Sequence, residues 1–192
     1  MAETCTNIQN SIKWCEGTPS YPGVKRRLYF LSKSQIVGWP TLTKGEHGHY
    51  TTTTYTGDFT LAAEAKWKSL DVDTNKSQLT SEAQGEAPSQ TQLNKLVAVH
   101  PGTGPEASAA ALYFNNNDTV FLVPDMNGNY RVVGSDKWQG KCTVAQDSGQ
   151  GTTGATSTTI NVEATDVCPA PFYTGKIEAE DGDFNADGSP VE

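Results

Sequence analysis

Methionine is nearly missing from this chain, at two residues in 192, and only 35% of positions are hydrophobic. That poverty argues against a helical bundle with a large aliphatic core and suits a loop-rich β protein. No apolar stretch approaches the roughly 20 residues of a membrane helix. The opening MAETCTNIQNSIKW has neither a basic n-region nor an apolar h-region, so no secretory leader is expected and synthesis in a cytosol is. Basic residues are in deficit: 14 Lys and Arg face 22 Asp and Glu, a net charge of −8. Such a chain should not grip DNA phosphates by counterion release, and could face DNA only as a repelling wall or bind a basic partner.

Cysteine is scarce and unpaired in pattern. Cys5, Cys15, Cys142 and Cys168 form no CxxC, so zinc knuckles are not expected. Free thiols are the simpler reading, with a Cys5–Cys15 disulfide left open for a protein that ends outside a cell. Three histidines are present, His47, His49 and His100. His47 and His49 would share one face of a strand and could hold a metal with Glu46; an exposed pair on a loop is the simpler reading. No GxSxG, HExxH or Walker loop occurs, and no cysteine has an evident histidine partner. We expect no catalytic residues and no cofactor.

What is abundant is turn chemistry, with 18 Gly and 10 Pro among many Thr, Ser and Asn. The clearest segment is VFLVPDMNGNYRVVGS, Val120–Ser135. Asn127-Gly128 predicts a two-residue hairpin turn with positive φ at both positions. Its first strand, Val120–Val123, does not alternate apolar and polar residues, so both its faces must be covered, by this chain or by another copy. Just before it, Pro105–Asn115 predicts a helix: Gly104 as N-cap, Pro105 at the first helical position, Glu106 near the positive end, and Ala109, Leu112 and Tyr113 on one face. Folding back, that helix could cover one face of the strand.

Strands are also expected at Lys25–Ser32, at Lys66–Asp73 with Leu70 and Val72 on one face, and as a hairpin of Gly140–Gln146 with Thr158–Ala164 across a Gly/Thr/Ser loop. Ser11–Trp14, Gln35–Val37 and Thr174–Glu178 are shorter strand candidates. Asn75–Glu86 reads as polar, with a turn or bulge at Gln84-Gly85, and Gln90–His100 as a short helix or turn leading into a strand. A long polar hairpin fits Thr41–Thr60. The fold class is mainly β: a β-sandwich or barrel with one flanking α-helix, plus extended arms and loops. The divisions are an extended arm at 1–24, a β domain at 25–178 and an acidic tail at 179–192.

Several residues are candidate sites. Tyr50, Thr51, Thr52, Thr53, Thr54 and Tyr55 have high β propensity and little core-forming character, which marks them as assembly residues. Lys25, Arg26 and Arg27 form the one basic run, suited to meeting another subunit's acidic tail. Asp183, Asn185 and Asp187, followed by Gly188, match the first half of a calcium loop, but the bidentate Glu at position 12 has no counterpart. A solvated acidic tail is the simpler reading, a loose site completed by a neighbour the alternative. Trp14, Trp39, Trp67 and Trp138 sit in different elements and read as core or interface rather than as a sugar platform.

The order of these parts resembles the phage major tail (tail tube) protein family. The resemblance rests on Leu70-Asp71-Val72-Asp73 and the polar run to Glu86, the helix followed by the Val120–Ser135 hairpin, DSGQGTTGATSTTINVE, and the Pro-rich Cys168–Phe172 before a last strand. It spans about Tyr29 to Ile177. It implies a non-enzymatic virion protein whose sheets join into rings, usually hexameric. The rings stack into a hollow tube that conducts DNA without specific binding, with arms and termini bridging them. The implied partners are copies of itself and other tail or connector proteins, with no membrane; the implied place is the virion tail, and the host cytoplasm before assembly. A tail terminator or connector ring, and a glycan-binding β-sandwich module, are the alternatives.

Overall fold

Alternation of side chains decides the architecture. In Val120–Val123 every residue is fully buried, yet the four divide between two cores: Phe121 and Val123 face one, Val120 and Leu122 the other. The strand is the middle of three layers. The computed structural model describes residues 11–44, 50 and 52–190.

The strands are β1 (Arg27–Ser32), β2 (Ile36–Gly38), β3 (Thr41–Leu42), β4 (Thr54–Thr56), β5 (Thr60–Leu61), β6 (Lys68–Asp71), β7 (Gln78–Gln84) and β8 (Thr91–Pro101). Helix α1 (Pro105–Asn116) follows, and then β9 (Thr119–Pro124), β10 (Tyr130–Val133), β11 (Lys141–Asp147), β12 (Ser157–Asp166), β13 (Phe172–Tyr173), β14 (Lys176–Ala179) and β15 (Gly182–Asn185). A seven-stranded sheet runs in the order β3-β4-β13-β10-β9-β1-β6, and a four-stranded antiparallel sheet runs β11-β12-β8-β7. Leu28, Phe121, Val123 and Val133 of the first meet Leu96, Ala98, Ile160 and Val162 of the second. The expected mainly-β sandwich with one flanking helix is therefore present.

The second face of the large sheet is covered by this chain's own C-terminal hairpin. Ile177 and Ala179 of β14 and Ala186 beyond β15 are buried against Tyr29, Leu31, Val120, Leu122, Val132 and Trp67. Phe184 packs 5.3 Å from the Tyr29 ring and 5.9 Å from Tyr130. Trp67 N–H donates to Glu178 O at 2.8 Å and Glu180 N–H to Trp67 O at 3.0 Å, locking the hairpin beside β6. A neighbour is not needed as cover. The acidic tail expected to start at 179 is, as far as Ala186, part of the domain.

Helix α1 closes one side of the sandwich rather than covering a sheet face. Its core side is Ala107, Ala110 and Phe114, an i, i+3, i+7 stripe, with Tyr113 alongside; Leu112 is 70% exposed, which corrects the expected Ala109–Leu112–Tyr113 face. Phe114 meets Phe30 edge-on at 4.9 Å. Two segments differ from the sequence reading more sharply. Gln78–Gln84 is a strand, and Thr91–Pro101 is one unbroken strand, paired with β12 from Gln92 to Pro101 and with β7 from Thr91 to Val97, without the helix or turn expected near Leu93. Ser11–Trp14 forms no strand.

Candidate assembly surfaces

The hairpin turn is built differently from the two-residue form. Gly128 N–H donates to Asp125 O at 3.1 Å, Asp125 N–H to Asn129 O at 2.8 Å, and Asn129 N–H to Asp125 Oδ1 at 2.9 Å. Gly128 alone has positive φ, at 96°, the pattern of a three-residue loop ending in a left-handed glycine. Asn127 is thereby freed for another task. Its Oδ1 accepts from Tyr21 N–H at 3.1 Å and its Nδ2 donates to Tyr21 O at 3.3 Å. The turn clamps the N-terminal arm where it joins the domain at the Val24–Asp125 bridge. Before that clamp the arm is exposed from Ser11 onward, and it presents Ile12 at 92% and Trp14 at 73% exposure.

One residue of the proposed basic run, Arg27, is paired within the subunit. Arg27 donates to Asp71 Oδ1 at 3.0 Å and to Asp181 Oδ2 at 2.9 Å, and the hydrogen bond with Asp71 raises its pKa while lowering that of Asp71. Lys66 and Lys176 both approach Asp183, at 3.6 and 3.2 Å, and Lys68 approaches Glu180 at 3.7 Å. The acidic hairpin thus meets its own subunit's cations, with Arg27 the one member of the basic run among them. Lys25 and Arg26 are exposed and form no ion pair among the described residues.

Asp183, Asn185 and Asp187 are all engaged by other groups, the last two through Ser189. Asp183 is held by the lysines, Asn185 Nδ2 donates to Ser189 Oγ and Pro190 O, and Asp187 Oδ1 accepts Ser189 N–H at 2.9 Å. Among the described residues no three His, Cys, Asp or Glu side chains form a metal-holding group. Glu46, His47, His49 and Thr51 lie outside the described residues.

The remaining assembly candidates divide. Thr52 is exposed, Thr53 and Thr54 are half-buried, and Thr53 O accepts Phe172 N–H at 2.9 Å. Tyr55 is a core residue at 6% exposure, packed near Phe59, so it offers no free surface. Tyr50 is half-buried with Lys44 Nζ 5.5 Å from its ring centre. The tryptophans make no shared platform: Trp39 and Trp67 meet Phe59 edge-on at 5.3 and 5.4 Å inside the second core, Trp138 is half-buried and Trp14 stands on the arm.

Sequence reading missed the surface with the most regular backbone. Among the described residues β7 pairs with β8 on one side and with no strand on the other, leaving a seven-residue sheet edge. At the opposite edge, β11 is partly capped by α1: Val144 N–H donates to Asn115 Oδ1 at 2.9 Å and Ser108 Oγ to Gln146 Oε1 at 3.2 Å. The outer face of this sheet is polar and mixed in charge. One row across it is Thr80, Lys95, Glu163 and Lys141, and the next is Gln78, Val97, Asn161 and Thr143. Lys95 also pairs with Glu82. The signal in the sequence was the alternation of Leu79, Ser81 and Ala83 with Gln78, Thr80, Glu82 and Gln84, which is weak because its inward side has one large apolar residue.

The clefts of the domain are shallow in chemistry. The His100 ring Nδ1 lies 2.7 Å from Asp71 O beside α1, in a cleft that Ser69 and Thr158 also line. Comparison with known proteins finds no matching family model, no matching curated protein and no matching solved structure.

Proposed function

We propose that this chain is a structural subunit that self-associates through sheet edges, and that its assembly is the ring-stacked tube of a phage tail. The observation that carries the reading is β7, an exposed seven-residue edge that among the described residues is paired on one side only. An edge of that length is a template for a further strand, and a closed ring of copies removes every such edge at once. The polar outer face of the same sheet suits a lumen wall: Lys95, Glu163 and Lys141 alternate in sign across it, so it presents no cationic stripe to hold phosphates. The exposed Ile12 and Trp14 on a clamped arm supply apolar area for contact between copies. Catalysis is no part of this role.

Electron microscopy of the purified chain at high concentration tests the proposal. Hollow tubes of uniform width support it, and isolated rings point instead to a terminator or connector. Ala83→Lys on β7 should leave the domain folded and stop assembly, because a charged side chain on an edge blocks pairing. Particles that stay monomeric under all conditions overturn the reading.

A further inference from the structure

Residues 11–22 are exposed throughout, so burial does not hold this part of the N-terminal arm to the domain. Among the described residues, two hydrogen bonds tie the stretch to the rest of the chain, and one side-chain amide makes both. Asn127 Oδ1 accepts Tyr21 N–H at 3.1 Å, and Asn127 Nδ2 donates to Tyr21 O at 3.3 Å. The next link along the chain is at Gly23, whose carbonyl accepts Met126 N–H at 3.2 Å. A clamp that needs an acceptor and a donor on one short side chain is met by an amide and not by a carboxylate.

Asn127 is also the one asparagine of the chain that glycine follows. In such a pair the backbone nitrogen of the second residue can attack Cγ of the first. Glycine has no Cβ to obstruct that approach. Asn127 is exposed on the turn, so water reaches it, and Gly128 is half-buried. Two contacts restrain the reaction in the fold. Gly128 N–H is turned to Asp125 O at 3.1 Å, and the Asn127 amide is turned to Tyr21. Nucleophile and electrophile therefore face different partners. The second restraint lasts only while the arm is in place.

We propose that Asn127 is a site of spontaneous deamidation whose conversion releases the N-terminal arm. The Gly128 nitrogen bonds to Cγ, the Cγ–Nδ2 bond breaks, and the proton given up by Gly128 leaves with Nδ2 as ammonia. Water then opens the cyclic imide at either carbonyl, giving aspartate or isoaspartate. Aspartate still accepts Tyr21 N–H but sets a carboxylate oxygen against Tyr21 O, where Nδ2 donated before. Isoaspartate routes the backbone through the former side chain and lengthens the turn by a methylene. Either product breaks the paired clamp, and the change is irreversible. The device reinforces itself: opening of the arm frees the Asn127 amide to react, and reaction keeps the arm open. It is independent of how copies assemble.

Mass spectrometry of the full chain kept at mildly alkaline pH tests the proposal, with peptide fragmentation to place the new acid. Conversion at Asn127 ahead of every other asparagine is expected. Tyr21→Pro removes the N–H that Oδ1 accepts, and Tyr21 is exposed, so the core stays intact. That variant should convert about fivefold faster, the weight of one net hydrogen bond. The chain unfolded in urea gives the unrestrained rate. Amide relaxation measured by NMR at Trp14 and Ser20 reads the arm, and converted chains should show faster motion there than native ones. A native chain that stays unconverted while the unfolded chain converts fully overturns the site. Equal rates in native and Tyr21→Pro chains overturn the restraint, and unchanged arm relaxation after conversion overturns the release.

Discussion

Asp166→Asn should flatten the pH dependence of stability. In the fold, burial raises this carboxyl from 3.8 to about 6, while in the unfolded chain it keeps its ordinary value. A raised acid favours the native state while protonated. Its stabilising contribution is fully present below about pH 4 and is lost as pH rises through 6. Two units at about 1.4 kcal/mol each give a loss of about 3 kcal/mol across that window, a large part of the roughly 5–15 kcal/mol available to a domain. Asparagine keeps an oxygen for Val167 N–H but puts a buried amide where Oδ2 was, at about 1–3 kcal/mol for the unmatched donor. The absolute stability of the variant at one pH is therefore a poor readout, and the difference in slope is a good one. Urea denaturation at steps from pH 4 to 8 measures it. The native chain should lose about 3 kcal/mol relative to the variant over that range. Asp71, Asp183 and Asp187, whose carboxyls are lowered by their partners, act in the opposite direction in both proteins and cancel in the comparison. Parallel curves would show that Asp166 is not a buried, unsatisfied acid.

Asn94→Leu should destabilise the domain by about 3 kcal/mol or more in urea, because Asn94 Oδ1 takes Ala170 N–H at 2.8 Å and its Nδ2 gives to Cys168 O at 3.3 Å; an unchanged midpoint would refute that role. Gly134→Ala should cost about 1–3 kcal/mol, since φ is +142° and a Cβ would stand 3.0 Å from both Val120 methyls, and a thermal melt within error of the native one would count against it. Removing 179–192 should abolish cooperative unfolding by circular dichroism, because Ala179 and Ala186 are buried and Phe184 packs on two tyrosines; a truncation that still folds would refute this. With a thiol reagent on the native chain, Cys15 should react at once while Cys142 and Cys168, both pushed up to about 12 chiefly by burial, stay silent until unfolding; prompt labelling of either buried thiol would falsify the packing.

Elements with strong local signals were legible in the sequence. Pro105 and the alanines define α1, and the runs at Val120 and Lys141 define strands, because propensity and periodicity agree there. The errors fall where tertiary pairing outvotes local preference. Leu93, Leu96 and Val97 sit at helical spacing, yet pairing with β7 and β12 along their whole length makes them strand. Gln78–Gln84 has one large apolar residue and becomes a strand only because β8 lies beside it. The meeting of Asp136 and Asp166 at one cleft was invisible for a different reason. Asp136 and Asp166 are 30 residues apart, joined by the return of β12 to the end of the sandwich, and no spacing rule connects them.

The distribution of charge narrows how copies of this chain can meet. A net charge of −8 with one basic run suggested contact between a cationic edge and an acidic tail. In the fold much of the acidic tail is already met inside one subunit: Arg27 pairs with Asp71 and Asp181, Lys66 and Lys176 with Asp183, Lys68 with Glu180. Exposed pairs of this kind are individually weak, but exchanging them for the same pairs across a boundary gains little. What an interface would add is new backbone pairing at β7 and burial of the arm, where Ile12 and Trp14 now face water. Association on those terms strengthens with salt that screens the shared negative charge, whereas a tail-to-basic-run contact weakens. The ionic-strength dependence of assembly therefore separates the two modes.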